Sequence, residues 1–339
     1  MSSDTNIDSS GIDSSDRTDA VPTIVSAAAP HAPLGDVGPL VLGGNVFGWT
    51  ADRDASFAVL DAFVEAGGRS IDSADVYSVW AEGNSGGESE TILGEWFAAR
   101  GRRDDVLVAT KVSKHPERPG LARDNVRAAV EESLTRLQSE TIDLYYAHDD
   151  DETQSPREIA ATFDELVREG KIRAIGLSNF SPERLRAVVE AARADNLTPA
   201  AYSQDRWSLV ERSIETDLVP VLADLGLTEL PYSSLAAGFL TGKYRPGVEI
   251  DSPRAGGAGR YLERPGAGAL LDVLDGVARA HEVEPASVAL AWLRTRPTVG
   301  APIASARTTD QLPALVASFT LDLTPADLRD LDAASDALG

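Results

Sequence analysis

The chain has no cysteine and only four lysines, Lys111, Lys114, Lys171 and Lys243, in 339 residues. The first absence excludes disulfides, thiolate metal sites and thiol nucleophiles. Histidine is also scarce. The four present, at positions 31, 115, 148 and 281, argue against the multi-histidine centre of a metal-dependent barrel hydrolase. No apolar run approaches the length of a membrane-spanning helix. The N-terminus lacks the basic start and apolar segment of an export signal, so the expected compartment is the cytoplasm. Neither a strand followed by G-x-G-x-x-G nor a G-x-S-x-G elbow is present. The stretch Gly238–Lys243 falls one residue short of a phosphate loop, and Tyr244 stands where a magnesium-binding hydroxyl belongs.

Positive charge is in short supply. Against 54 acidic residues stand 31 basic ones, a formal net charge of −23. That balance argues against nucleic acid and anionic membrane as partners. An acidic, lysine-poor surface is also the expected composition of a protein adapted to high salt.

Residues 1–20 hold six serines and five aspartates and almost nothing apolar. Such a stretch cannot offset its ordering entropy, so residues 1–33 are expected to form a disordered tail and residues 34–339 a single domain. From Leu40 onward, apolar runs alternate with helical patterns. Strands are expected at 40–44, 69–72, 106–111, 142–148, 172–177, 200–204, 227–232 and 299–303. Each is followed by a helical stretch, with Ser181 as N-cap and Pro182 at the first helical position of the fifth. Apolar rather than alternating strands indicate a parallel sheet buried on both faces. Eight units over about 300 residues point to an α/β fold, a closed (β/α)8 TIM barrel, whose site sits at the C-terminal ends of the strands.

Polar residues stand at those ends. The stretch Ile71-Asp72-Ser73-Ala74-Asp75-Val76-Tyr77, followed by Gly87-Glu88-Ser89-Glu90 and Leu93-Gly94, resembles the signature of the aldo-keto reductase family. Ala109-Thr110-Lys111-Val112 and Tyr145-Tyr146-Ala147-His148-Asp149 resemble its third- and fourth-strand motifs. The resemblance implies that Tyr77 is a proton donor tuned by Asp72 and Lys111, and that His148 orients the carbonyl. The chemistry agrees with those residue types. Reducing a carbonyl leaves charge on oxygen that must meet a proton. A phenol needs help to give one near neutral pH, and an adjacent ammonium would lower its pKa.

The resemblance also implies that Ser178, Asn179 and Gln204 hold the nicotinamide carboxamide, which offers both a donor and an acceptor. Trp207, a few residues after Gln204, is expected to stack on the nicotinamide ring. The segment Tyr232–Tyr244 resembles the family's pyrophosphate loop, with Ser233, Leu235, Gly238 and Leu240 as contacts and Ser234 where the family has proline. Pro302–Gln311 resembles the adenosine segment, with Ser305, Arg307 and Gln311 as contacts. Arg307 suits a ribose 2′-phosphate. Here Ser305 replaces a glycine, and Leu315 stands where many members have asparagine.

The implied protein is an NADP(H)-dependent carbonyl oxidoreductase, with NADH as the other admissible cofactor. No metal is expected. The loops 79–87, 116–120 and 242–268 would select the small-molecule substrate, with Trp49 and Trp80 as candidate pocket walls. A non-catalytic nucleotide sensor on the same fold is the competing expectation.

Overall fold

A computed structural model of the chain describes residues 33–245, 248 and 255–338. Nearly all of the expected N-terminal tail lies outside those residues. The described elements begin β1 (Val41–Gly43), α1 (Arg53–Glu65), β2 (Ser70–Asp72), α2 (Glu88–Arg100), β3 (Leu107–Val112) and α3 (Arg123–Leu137). They continue β4 (Ile142–Ala147), α4 (Pro156–Arg168), β5 (Ile172–Ser178), α5 (Pro182–Ala194), β6 (Tyr202–Gln204) and α6 (Ile214–Leu225). The last are β7 (Thr228–Glu229), α7 (Ala255–Leu262), α8 (Ala267–Ala280), α9 (Pro285–Arg294), β8 (Ile303–Ala304), α10 (Leu312–Ala317) and α11 (Pro325–Asp336).

The strands form one parallel sheet in the order β7-β6-β5-β4-β3-β2-β1-β8. Its two ends are joined just before β8. Glu229 N donates to Thr298 O and Gly300 N to Glu229 O, both at 2.8 Å, and Ile303 N reaches Pro231 O at 2.9 Å. The sheet is therefore closed, and the architecture is a (β/α)8 barrel.

Side chains alternate between two apolar environments, which is why the strands carry no amphipathic pattern. Leu42, Ile71, Val108, Tyr145, Ile175 and Leu177 face outward and pack with helix residues such as Phe63, Leu93 and Phe163. Val41, Ala109, Leu144, Tyr146, Ala174, Tyr202, Leu230 and Ile303 face inward and fill the barrel. Continued two residues at a time, the inward set arrives at Gly43, Asp72, Lys111, His148, Ser178, Gln204 and Tyr232 at the mouth. One parity thus delivers the polar residues of six strand ends to one place.

Helix starts follow local chemistry. Ser155 and Glu158 form a capping box ahead of Pro156, Thr324 and Asp327 form another ahead of Pro325, and Ser181 caps Arg184 N. A second apolar cluster joins α8, α9 and α11 to Trp207, Phe239 and Trp292 beside the barrel.

Three expectations change in detail. The eighth strand begins later than 299, because Pro302 has no N–H to extend a ladder. Val299 still makes an isolated parallel bridge to Glu229. The seventh keeps only Thr228–Glu229 as regular pairing before Pro231. The stretch 242–268, expected as a loop, contains α7, whose Tyr261 packs against Phe239 with ring centroids 5.7 Å apart.

Candidate active site

A fully buried lysine persists only when its charge is met. Lys111, at the end of β3, is such a residue. Its Nζ donates to Asp72 Oδ1 at 2.7 Å and Oδ2 at 2.6 Å, to Ser73 O at 2.6 Å, and to Tyr77 Oη at 3.0 Å. Tyr77 Oη in turn donates to Asp72 Oδ2 at 3.0 Å. The loop that brings Tyr77 there is tied to β3 by Ser73 N to Ala109 O at 2.7 Å and Asp75 N to Lys111 O at 3.2 Å. Burial lowers the Lys111 pKa while the adjoining carboxylate raises it. Burial, then the charge of Asp72, holds the Tyr77 phenol well above its usual value. The site therefore keeps Tyr77 protonated, opposite in direction to the lowering expected from Lys111 alone.

His148 follows β4, with its N–H on Val112 O at 2.8 Å and its ring 6.2 Å from that of Tyr77, centroid to centroid. Burial, reinforced by Lys111 and Lys114, pushes its pKa well below the usual value, so the imidazole is neutral. Its Nδ1 is buried without a partner among the described residues.

Tyr77 and His148 stand at one end of a cavity of about 1060 Å³ that crosses the mouth of the barrel. Asp72 lines it too, together with Ser178, Asn179, Gln204, Ser233, Leu235, Gly238, Ser305, Arg307 and Gln311. Ser178 Oγ donates to Gln204 O at 2.7 Å, and Gln204 Nε2 to Asp72 Oδ1 at 2.9 Å. Asn179 Nδ2 reaches His148 O and Ser178 Oγ, both at 2.9 Å. Arg307 N donates to Gln311 Oε1 at 2.8 Å. In the loop after β7, Ala236, Ala237 and Gly238 have φ of 49°, 55° and 92°. Such a left-handed run curves the backbone into a concavity suited to an anion.

Two expected residues lie elsewhere. Trp207 is fully buried in the second apolar cluster, with Nε1 donating to Glu215 Oε1 at 2.9 Å, and does not line the cavity. Alternation explains the placement, since Gln204 and Arg206 face the cavity and position 207 faces the helices. Leu240 is likewise buried in that cluster. Trp49 and Trp80 line the cavity, and so does Tyr232, after the seventh strand, its OH donating to Asn179 Oδ1 at 2.8 Å. Its position after a strand was the available signal. Asn45, Lys114 and Arg206, each two residues past a strand, also line the cavity and carried the same signal, while Lys243 and Arg260 lie in the segments expected to meet pyrophosphate and substrate.

Fold and site define a barrel oxidoreductase: a buried acid–lysine–phenol cluster at one end of a long cleft with cationic groups along it. The chain belongs to the aldo/keto reductase family, whose sequence model matches residues 39–336. It is 32% identical over 305 residues to the Bacillus subtilis (strain 168) protein named uncharacterized oxidoreductase YrpG, covering 87% of this chain and 91% of that one. Protein tas of Escherichia coli (strain K12) is 32% identical over 332 residues, 90% of this chain and 95% of its own. The norsolorinic acid reductase stcV of Emericella nidulans is 32% identical over 314 residues, 87% and 78% respectively.

Proposed function

We propose that this protein is an NADP(H)-dependent reductase of aldehydes or ketones in which Tyr77 is the general acid. The observation that carries the reading is the Tyr77 hydroxyl at the cavity's inner end, 3.0 Å from both Lys111 Nζ and Asp72 Oδ2.

The residues present fit a nicotinamide dinucleotide. Amide and hydroxyl side chains at 178, 179 and 204 suit a carboxamide, the left-handed loop at 236–238 suits a pyrophosphate, and Arg307 suits a 2′-phosphate. Among the described residues no carboxylate pairs with Arg307 or Lys243. When bound, the cofactor supplies a hydride to the carbonyl carbon. Tyr232 would then offer the aromatic face for the nicotinamide, in the role expected of Trp207.

Tyr77 gives its proton to the carbonyl oxygen as negative charge develops there. The resulting phenolate is met by the Lys111 ammonium, which Asp72 and Ser73 O keep charged and aimed. Solvent then returns a proton to Tyr77, so the balance is carbonyl plus hydride plus proton to alcohol. Neutral His148 donates a hydrogen bond to the oxygen and needs no proton of its own to lose.

The test is NADPH absorbance loss over a panel of aldehydes and ketones for wild type and Tyr77→Phe. Turnover in wild type that falls by about 100-fold or more in the variant, with NADPH affinity retained, is expected for a lost general acid. Tight NADPH binding with no turnover on any carbonyl would make the sensor reading the better one.

A further inference from the structure

Behind the nicotinamide end, outside the cavity lining, lies a pair of buried carboxyl groups that the chemistry above does not use. Asp205 is 5% exposed and Glu229 fully buried. By alternation both face outward from the sheet, as does Ser203. Asp205 is engaged on every side: Oδ1 accepts from Asn179 N at 3.1 Å, and Oδ2 from Ser203 Oγ at 2.6 Å. Its own N–H donates to Glu229 Oε1 at 2.8 Å, and its carbonyl accepts from Tyr232 N at 2.9 Å. One residue therefore joins the ends of β5, β6 and β7, which carry Asn179, Gln204 and Tyr232.

Asn179 is held by this anchor. Its φ of 59° is left-handed, a region asparagine tolerates better than most residues, and the bond from its N–H to Asp205 Oδ1 fixes the backbone there. We propose that Asp205 is a positioning residue for the nicotinamide carboxamide, acting through the Asn179 backbone and touching no ligand itself. The inference rests on the cofactor reading above. Oδ1 accepts from a backbone N–H and Oδ2 from a hydroxyl, and both bonds favour the ionised form. Burial pushes Asp205 up to about 6. Burial and then the neighbouring Asp205 charge hold Glu229 well above its usual range. Of the two, Asp205 is the one whose bonds to Asn179 N and Ser203 Oγ favour the charged form. An asparagine there would turn its NH2 toward Ser203 Oγ and hold Asn179 N–H with a neutral carbonyl oxygen, a weaker acceptor than the carboxylate.

The test compares binding of NADPH and of 2′,5′-ADP, which shares the adenosine end but lacks the carboxamide, by titration calorimetry. In Asp205→Asn the Kd for NADPH should rise about tenfold or more, and that for 2′,5′-ADP should stay within about twofold. In an Asn179→Gly background, which keeps the left-handed backbone but removes the amide, the same substitution should add little, because the two act as one unit. Should Asp205→Asn fail to fold, Ser203→Ala loosens the same carboxylate and should weaken NADPH selectively in smaller measure. Equal weakening of both ligands, an unchanged NADPH Kd, or a full effect in the Asn179→Gly background would overturn the proposal. A wild type that binds 2′,5′-ADP but not NADPH would overturn the cofactor reading instead, and that result is visible before any variant is made.

Discussion

Asp75 sits between the two ends of the reactive loop, three residues after Asp72 and two before Tyr77, and its side chain is the least satisfied group in the region. It is 1% exposed, and neither carboxyl oxygen has a partner among the described residues. Burial, then the nearby Glu90 charge, raises its pKa to about 7, while Arg118 and Arg136 pull the other way. The folded chain therefore keeps this proton up to about pH 7, whereas the unfolded chain releases it near pH 4. Between those values the native state binds more protons, so Asp75 removes stability as pH rises through that window and the cost is complete above it. Asp75→Asn should erase this dependence. The variant's Tm, relative to wild type, should be higher at pH 8 than at pH 5. A difference that is the same at both pH values would show that Asp75 is ionised throughout.

At the scale of elements, β4 and β5 show how the barrel interior constrains sequence. Tyr146 and Gly176 are paired in register, and a Cβ at 176 would come within 2.3 Å of the Tyr146 ring. That ring lies under the Lys111 ammonium, 5.9 Å from Nζ to its centroid. Gly176→Ala should therefore cost about 1–3 kcal/mol by overpacking, read from urea unfolding, and Tyr146→Leu in the same chain should recover part of it. A cost unchanged by the second substitution would mean that the strand backbone, not the ring, gives way.

The same alternation decides how much was legible beforehand. Lys111, His148 and Ser178 could be read because each ends or follows a long apolar run, whereas Asp72 and Gln204 end three-residue strands and were legible through the family motifs that hold them. Trp207 could not, because it follows a three-residue strand and one step of parity separates the cavity from the helix layer. The short ladder of the seventh strand and the late start of the eighth were hidden for a related reason. Pro231 and Pro302 interrupt the N–H pattern without changing the apolar pattern around them.

For the whole molecule the governing quantity is charge. The net of −23 resides on a chain whose arginines are largely committed to ion pairs, such as Arg127 with Glu165 and Glu169, Arg184 with Asp150, and Arg212 with Glu215 and Asp336. Once those pairs are made, the unpaired carboxylates repel one another across the surface. Two opposing effects of salt follow. Screening weakens the exposed pairs, each worth no more than about 1 kcal/mol, and it also removes the long-range repulsion among the surplus acids. With 54 acidic residues against 31 basic ones, the second should win. We therefore expect Tm to rise as KCl goes from about 0.01 M to about 1 M, over which the Debye length shrinks from about 30 Å to about 3 Å. The rise should saturate once that length falls below the spacing of neighbouring surface charges, and potassium sulfate at equal ionic strength should match it if screening alone is responsible. A Tm that stays level or falls over the range would mean that the ion pairs outweigh the repulsion, and adaptation to high salt would lose its physical basis.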